Sequence, residues 1–245
     1  MTSVLELPVP SAPADTGALV RALCELAELE FRLGEWTRAY ASMGASLRTA
    51  RACGLRHESA RALTGLAQID AARGRSADCV SHAGEAIRLS LGGRAEALAN
   101  HAIGFLEFGM GRTAAAIEWL EPCSLDLAEA CLLQGDTAGA RHALERVERH
   151  QGRDCWAVTS ALARVRAMLA SDEASDALFH SALAWAARGQ HPFEQARTEL
   201  RFGERLRSGR RPREARAHLR AALAAFVALE ARPWADRARR ELAAT

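Results

Sequence analysis

The sequence predicts an all-α fold in which helical hairpins stack into a solenoid, and three observations carry that prediction. Six small residues, Ala39, Cys79, Ala116, Ala140, Ala177 and Ala215, recur at intervals of 40, 37, 24, 37 and 38 residues, four of which match the length of a two-helix repeat. Each has small companions in register. Twelve residues earlier stand Ala27, Ala67, Gly104, Ala128, Val165 and Gly203, and seven later stand Ser46, Ala86, Cys123, Val147, Ala184 and Ala222. Antiparallel helices approach to about 8–10 Å only where the crossing side chains are small, so this pattern is a packing requirement and needs no catalytic role. Finally, Gly34, Gly74, Gly111, Gly135 and Gly209 each end an apolar run.

Composition agrees. Ala, Leu, Arg and Glu dominate the 245 residues, 49% of which are hydrophobic, whereas the β-branched and aromatic residues that mark strands are sparse. The first hairpin is predicted from Gly17 to Leu33 and Trp36 to Ala52, with Asp15 or Thr16 as cap and Gly54 closing it. Arg56–Arg73 and Ser76–Leu91 follow, with Ser76 as N-cap and Gly92-Gly93 as the stop. The third pair, Arg94–Met110 and Thr113–Glu121, is cut short by Pro122, and this begins the irregular 24-residue interval.

Leu125–Gln134 has room for a short helix only, and Asp136 or Thr137 caps the longer one running to His150. Asp154–Ala170 and Asp172–Arg188 form the next pair. Pro192 and Pro212 open helices at their favoured first position, ending near Gly209 and Leu229, and Pro233 begins a single last helix suited to capping the stack. The predicted organisation is a flexible tail over residues 1–14, about six hairpins and a capping helix, residues 15–245 forming one domain.

Several function classes drop out. All 32 basic residues are Arg, and without Lys there is no Walker-type phosphate loop, no Schiff-base chemistry and no kinase-like ATP lysine. Cys24, Cys53, Cys79, Cys123, Cys131 and Cys155 are spaced for neither CxxC redox chemistry nor zinc, and the eight His form no metal-ligand motif. Neither GxSxG nor a Cys–His signature is found. No enzymatic activity, cofactor or metal is therefore expected. The first fourteen residues lack a basic region and contain Pro8, Pro10 and Pro13, so they suit neither a signal peptide nor a membrane span, and a cytoplasmic protein without a membrane partner is expected.

The segments AELEFRLGEWTRAYASMGASL and ACLLQGDTAGARHALERV resemble tetratricopeptide repeats, which are right-handed helical solenoids. His191–Thr245 resembles the end of the repeat region in large ATP-binding LuxR-type transcriptional regulators, and the chain from Gly17 onward is compatible with that region. The resemblance implies a sensor or interaction module. In that family an ATPase precedes the repeats and a helix-turn-helix domain follows them; this sequence contains neither, so DNA contact is expected only through a domain it lacks. It corresponds to an excised piece of a regulator or to a free-standing descendant.

In tetratricopeptide arrays the first helix of each hairpin lines the concave face, through positions six before, three before and one after its small residue. That register collects Arg21, Cys24, Glu28, Arg61, Thr64, Gln68, His101, Phe105, Glu129, Thr159, Arg166, Arg197 and Glu204. The trough leans basic. Arg offers a planar fork of donors to carboxylate or phosphate, so a protein partner with an acidic peptide, or an anionic small-molecule effector, is the expected ligand, the alternative being ordinary solvated helix faces. Phe105, Phe108, Met110 and Trp119 beside His101 suggest either an apolar pocket or packing between hairpins. Arg201, Arg205, Arg207, Arg210, Arg211, Arg213, Arg216 and Arg220 form a basic run that could assist phosphate contact or simply be solvated. An enzyme evolved on the repeat scaffold, and a scaffold protein that homodimerises through its edge helices, are the competing functions.

Overall fold

The computed structural model describes residues 13–90, 92–120, 124–150 and 156–245. Every regular element among them is helical. Six hairpins form in sequence: α1 (Pro13–Arg32) with α2 (Trp36–Ala52), α3 (Arg56–Arg73) with α4 (Ser76–Leu89), and α5 (Arg94–Gly109) with α6 (Thr113–Trp119). They continue as α7 (Leu125–Leu133) with α8 (Thr137–His150), α9 (Trp156–Leu169) with α10 (Asp172–Arg188), and α11 (Pro192–Ser208) with α12 (Pro212–Ala228). The unpaired α13 (Arg232–Ala243) follows. Each odd helix packs on the even one after it, and the odd helices from α1 to α11 also touch one another in order. Pairwise sequential packing of this kind is that of a helical repeat array.

The small positions explain the pairing. Ala39, Cys79, Ala116, Ala140 and Ala215 are fully buried, and each is the fourth residue of its helix. A methyl group on Gly104 would lie 2.8 Å from the Leu120 backbone nitrogen, and one on Gly203 2.6 Å from Leu219 Cγ. The fifth hairpin corrects the predicted register: Ala177 and Ala184 face solvent, and the crossing is made by Ser175 and Ala182. Ser175 is the fourth residue of α10, and its hydroxyl donates to Ala167 O at 2.9 Å while Ser160 donates to Ala182 O at 2.9 Å. Ser fills the slot because the helix carbonyls satisfy its hydroxyl. Cys123 and Pro122 lie outside the described residues.

The turns after α1, α2, α3, α5, α7, α10, α11 and α12 share one geometry. After α1, Glu35 N–H donates to Glu30 O at 2.8 Å and Gly34 N–H to Phe31 O at 3.2 Å, the paired bonds of a Schellman turn. The left-handed residue is Gly at 34, 54, 74, 111 and 135, but Gln190, Arg210 and Glu230 hold it later. The breaking role expected of Gly209 therefore belongs to Arg210. The residue after the left-handed one already serves as N-cap of the next helix, so α4 starts at Ser76, with Arg75 and not Ser76 in the cap position. Asp136 does cap α8, its Oδ1 accepting from Gly139 N–H at 2.8 Å. Helix α1 starts at Pro13, which places Asp15 and Thr16 inside it. The predicted ends at Leu91, Glu121 and Asp154, and residues 1–12 of the tail, lie outside the described residues.

The C-terminal helices return to the N-terminal ones. Phe193 at the start of α11 packs edge-on against Trp36, with ring centroids 5.2 Å apart, and also meets Phe226 and Trp234. A Cβ on Gly34 would stand 2.8 Å from Pro192 Cγ, and one on Gly74 would collide with Pro233. Arg73 reaches Glu230 at 3.4 Å. Both glycines thus answer to a left-handed backbone and to a close neighbour. Trp234 lies against Phe105 and Phe108, closing an aromatic cluster at the centre.

Candidate ligand-binding site

Two cavities adjoin on the odd-helix face, and Leu98 of α5 lines both. The first, of about 490 Å³, is walled by Phe31, Leu98, Leu125, Val158 and Phe193, with His101, Asp126, Arg164, Glu194 and Arg197 at its polar side. Five odd helices contribute to it. The second, of about 350 Å³, is lined by Glu28, Met43, His57, Arg61, Thr64, Gln68 and Arg94. Its charge is unbalanced: Arg61 donates to Glu28 at 2.9 Å, and Arg94 is exposed with no acid of its own lining the site.

Beneath the first cavity lies a buried charge network. Glu129 Oε1 accepts from Arg164 Nε at 2.7 Å and from Arg197 at 3.0 Å, and its Oε2 accepts from Arg201 Nε at 3.0 Å. Asp126 takes a second Arg197 bond at 2.5 Å and lies 3.3 Å from His101 Nε2. Glu194 accepts from Arg164 at 2.8 Å and from Arg197 at 3.0 Å, while Glu204 accepts from Arg201 at 2.9 Å and from Arg237 at 2.7 Å. Four guanidiniums face four carboxylates. Burial alone would raise the Glu129 carboxyl, but Arg164, Arg197 and Arg201 outweigh it and hold the group down at about 2. The same balance of burial against guanidinium charge depresses Asp126 and Glu204. Arg197 also lies over the rings of Trp234 and Phe105, at 5.1 and 5.3 Å.

The residues expected in the trough therefore separate. Glu28, Arg61, Thr64 and Gln68 meet in the second cavity, and His101 and Arg197 line the first. Glu129 and Glu204 belong to the network, Phe105 to the aromatic cluster, and Cys24 is buried against Ser46. Arg21 is half-exposed, 3.7 Å from Glu58. Arg166 lies outside the group, exposed and bonded to Glu148 of α8 at 2.6 Å.

Arg164 is the residue that the register missed, and the two-residue offset of the fifth hairpin is the cause. Counting from Ala163 in place of Val165, the position one beyond the small residue is Arg164 and not Arg166. Asp126, Glu194 and Arg94 fall on no register position and carry no sequence signal. Of the suggested aromatic pocket, Phe105 and Phe108 are central while Met110 and Trp119 are exposed. In the basic run, Arg201, Arg205, Arg207, Arg211 and Arg216 are bonded to Glu129, Ala170 O, Glu241, Asp176 and Thr245 O respectively. Three of the eight thus face carboxylates and two more bond backbone carbonyls within the chain.

Among the described residues no group of His, Cys, Asp and Glu could hold a metal ion, and no helix is long and apolar enough to cross a membrane. Cys24, Cys79 and Cys131 are buried free thiols and Cys53 is exposed; burial pushes Cys79 up to about 12. No protein-family model matches the chain, and no curated protein matches its sequence.

Proposed function

We propose that the chain is a tetratricopeptide-like binding module, akin to the repeat region of large LuxR-type regulators, that takes an extended ligand bearing an acidic group and an apolar group. An acidic peptide fits this description, and so does an anionic small molecule with a hydrophobic body. The observation that carries the reading is the shared Leu98 wall, which sets a basic cavity with Arg61 and Arg94 beside an apolar one with Phe31 and Phe193. A ligand spanning both would place carboxylates against guanidinium forks and bury its apolar part, the usual division of labour in a ligand site.

The buried network supports this by holding the odd helices that wall the apolar cavity in one arrangement. Its arginines are buried with their carboxylates, so recognition of the ligand's charge falls to the exposed Arg94 and to Arg61, whose fork the ligand would share with Glu28. Titration calorimetry with acidic peptides carrying one Leu or Phe, and with aliphatic dicarboxylic acids, tests the proposal. Binding that falls about tenfold or more in Arg61→Glu/Arg94→Glu and weakens with salt is the expected result. Equal affinity in the charge-reversed variant would refute it.

A further inference from the structure

Helix α1 carries an apolar stripe on the side away from its hairpin partner. Val20, Cys24, Ala27 and Phe31 face inward, while Leu26, Leu29 and Leu33 remain 46%, 51% and 49% exposed. Leu33 continues the helical turn, its N–H donating to Leu29 O at 3.0 Å. With exposed Ala22 and half-buried Leu19 these residues follow the alternating three- and four-residue spacing of a coiled-coil seam.

The charges beside the stripe are unevenly engaged. On one flank Glu30 is bonded to Ser42 at 2.8 Å and lies 3.4 Å from Arg38. Farther round the other side, Arg21 and Glu28 face Glu58 and Arg61 of α3. Glu25 and Arg32 are exposed, lie seven residues apart on one edge of the stripe, and form no ion pair among the described residues; Arg32, at the rim of the first cavity, donates only from Nε to Glu28 O at 3.2 Å. One is acidic and the other basic.

We infer that α1 is a homodimer interface, in which two copies of the chain pack α1 against α1 antiparallel about a two-fold axis. In that arrangement Leu26 of one copy meets Leu29 of the other, Ala22 meets Leu33, and each Glu25 stands opposite an Arg32. A two-fold axis makes every contact occur twice, so a single helix satisfies both of its own unpaired charges against its twin. The tail is a poorer occupant: residues 1–12 contain one charged side chain, Glu6, and cannot match both flanking charges. The seam from Ala22 to Leu33 is about 16 Å long at the helical rise, so the dimer dissociates on dilution.

Sedimentation velocity of the full chain over a range of concentrations tests this. The wild type is expected to pass from monomer to dimer, and Leu29→Glu to stay monomeric with unchanged helicity and melting temperature, since Leu29 is exposed within one copy. Glu25→Arg and Arg32→Glu each weaken association about tenfold, and the double reversal Glu25→Arg/Arg32→Glu restores it. Three results overturn the inference: a wild type that is monomeric at its highest soluble concentration, a dimer that survives Leu29→Glu, or a double reversal that fails to restore association. A monomer whose binding of an apolar dye rises on deletion of residues 2–12 likewise overturns it and identifies the tail as the cover.

Discussion

Replacing Glu129 with Gln removes one charge without changing shape, and its consequence can be worked from the network. With Arg164, Arg197, Arg201 and Arg237 against Asp126, Glu129, Glu194 and Glu204 the formal charges are +4 and −4, and the variant leaves +1 in a buried site. The Gln amide oxygen can still accept from one side, but its NH₂ then opposes an arginine donor where the carboxylate accepted at 2.7–3.0 Å. Breaking a buried ion network by removing one partner costs about 3–5 kcal/mol, mostly as uncompensated charge. For a domain of this size the melting temperature should fall by about 10 °C. Urea denaturation provides the free energy directly. Glu148→Gln is the matched control: its 2.6 Å pair with Arg166 is exposed, so the loss should stay within about 0.5 kcal/mol. Arg201→Met should cost less in the Glu129→Gln background than in the wild type, because the two act in one network. A loss below about 1 kcal/mol for Glu129→Gln, or equal losses for Glu129→Gln and Glu148→Gln, would refute the reasoning.

Acid should unfold the protein through the same groups. Glu129 is depressed from 4.5 to about 2, so its contribution is complete above pH 4.5 and is lost as pH falls toward 2; Asp126 and Glu204, also depressed, act in the same direction. Asp70, raised chiefly by burial, acts oppositely, and chemical denaturation at pH 6, 4 and 3 should show the net decline. At the turn after α11, Arg210 holds a left-handed backbone, φ 59°, that favours glycine. Arg210→Gly should therefore stabilise by about 0.5–1 kcal/mol, the relief of strain exceeding the added flexibility of the unfolded chain, with thermal melting as the measure.

The hairpin order, the turns and most crossing residues were legible in the sequence because each has a strict local cause. A small side chain at the fourth residue of the second helix recurs in every hairpin, and a left-handed residue precedes that helix in all but the fifth. The fifth hairpin escaped because Ala177, two residues on, fits the repeat interval, while the slot there holds Ser175. A hydroxyl that bonds a carbonyl of the facing helix packs as closely as a methyl group, and composition does not announce that substitution. The offset then displaced Arg166 for Arg164. Asp126, Glu194 and Arg237 were illegible for another reason: they join Glu129, Arg197 and Glu204 from three different helices, and only tertiary packing brings those helices together.

The division of arginines between the two halves of the odd-helix face bears on how binding and stability are kept apart. In the C-terminal half, Arg164, Arg197 and Arg201 are buried and bonded to carboxylates, so they lock α7, α9 and α11 and have little charge to offer a ligand. In the N-terminal half, Arg94 is exposed and Arg61, though paired with Glu28, is partly exposed, so both remain accessible to a carboxylate from outside. A reversal at Arg94 should accordingly change binding with little effect on melting, whereas a change at Arg164 should alter both, because it moves the wall of the apolar cavity. Where both substitutions shift melting equally, the two halves form a single cooperative unit and the basic cavity is as much a part of the core as the network is.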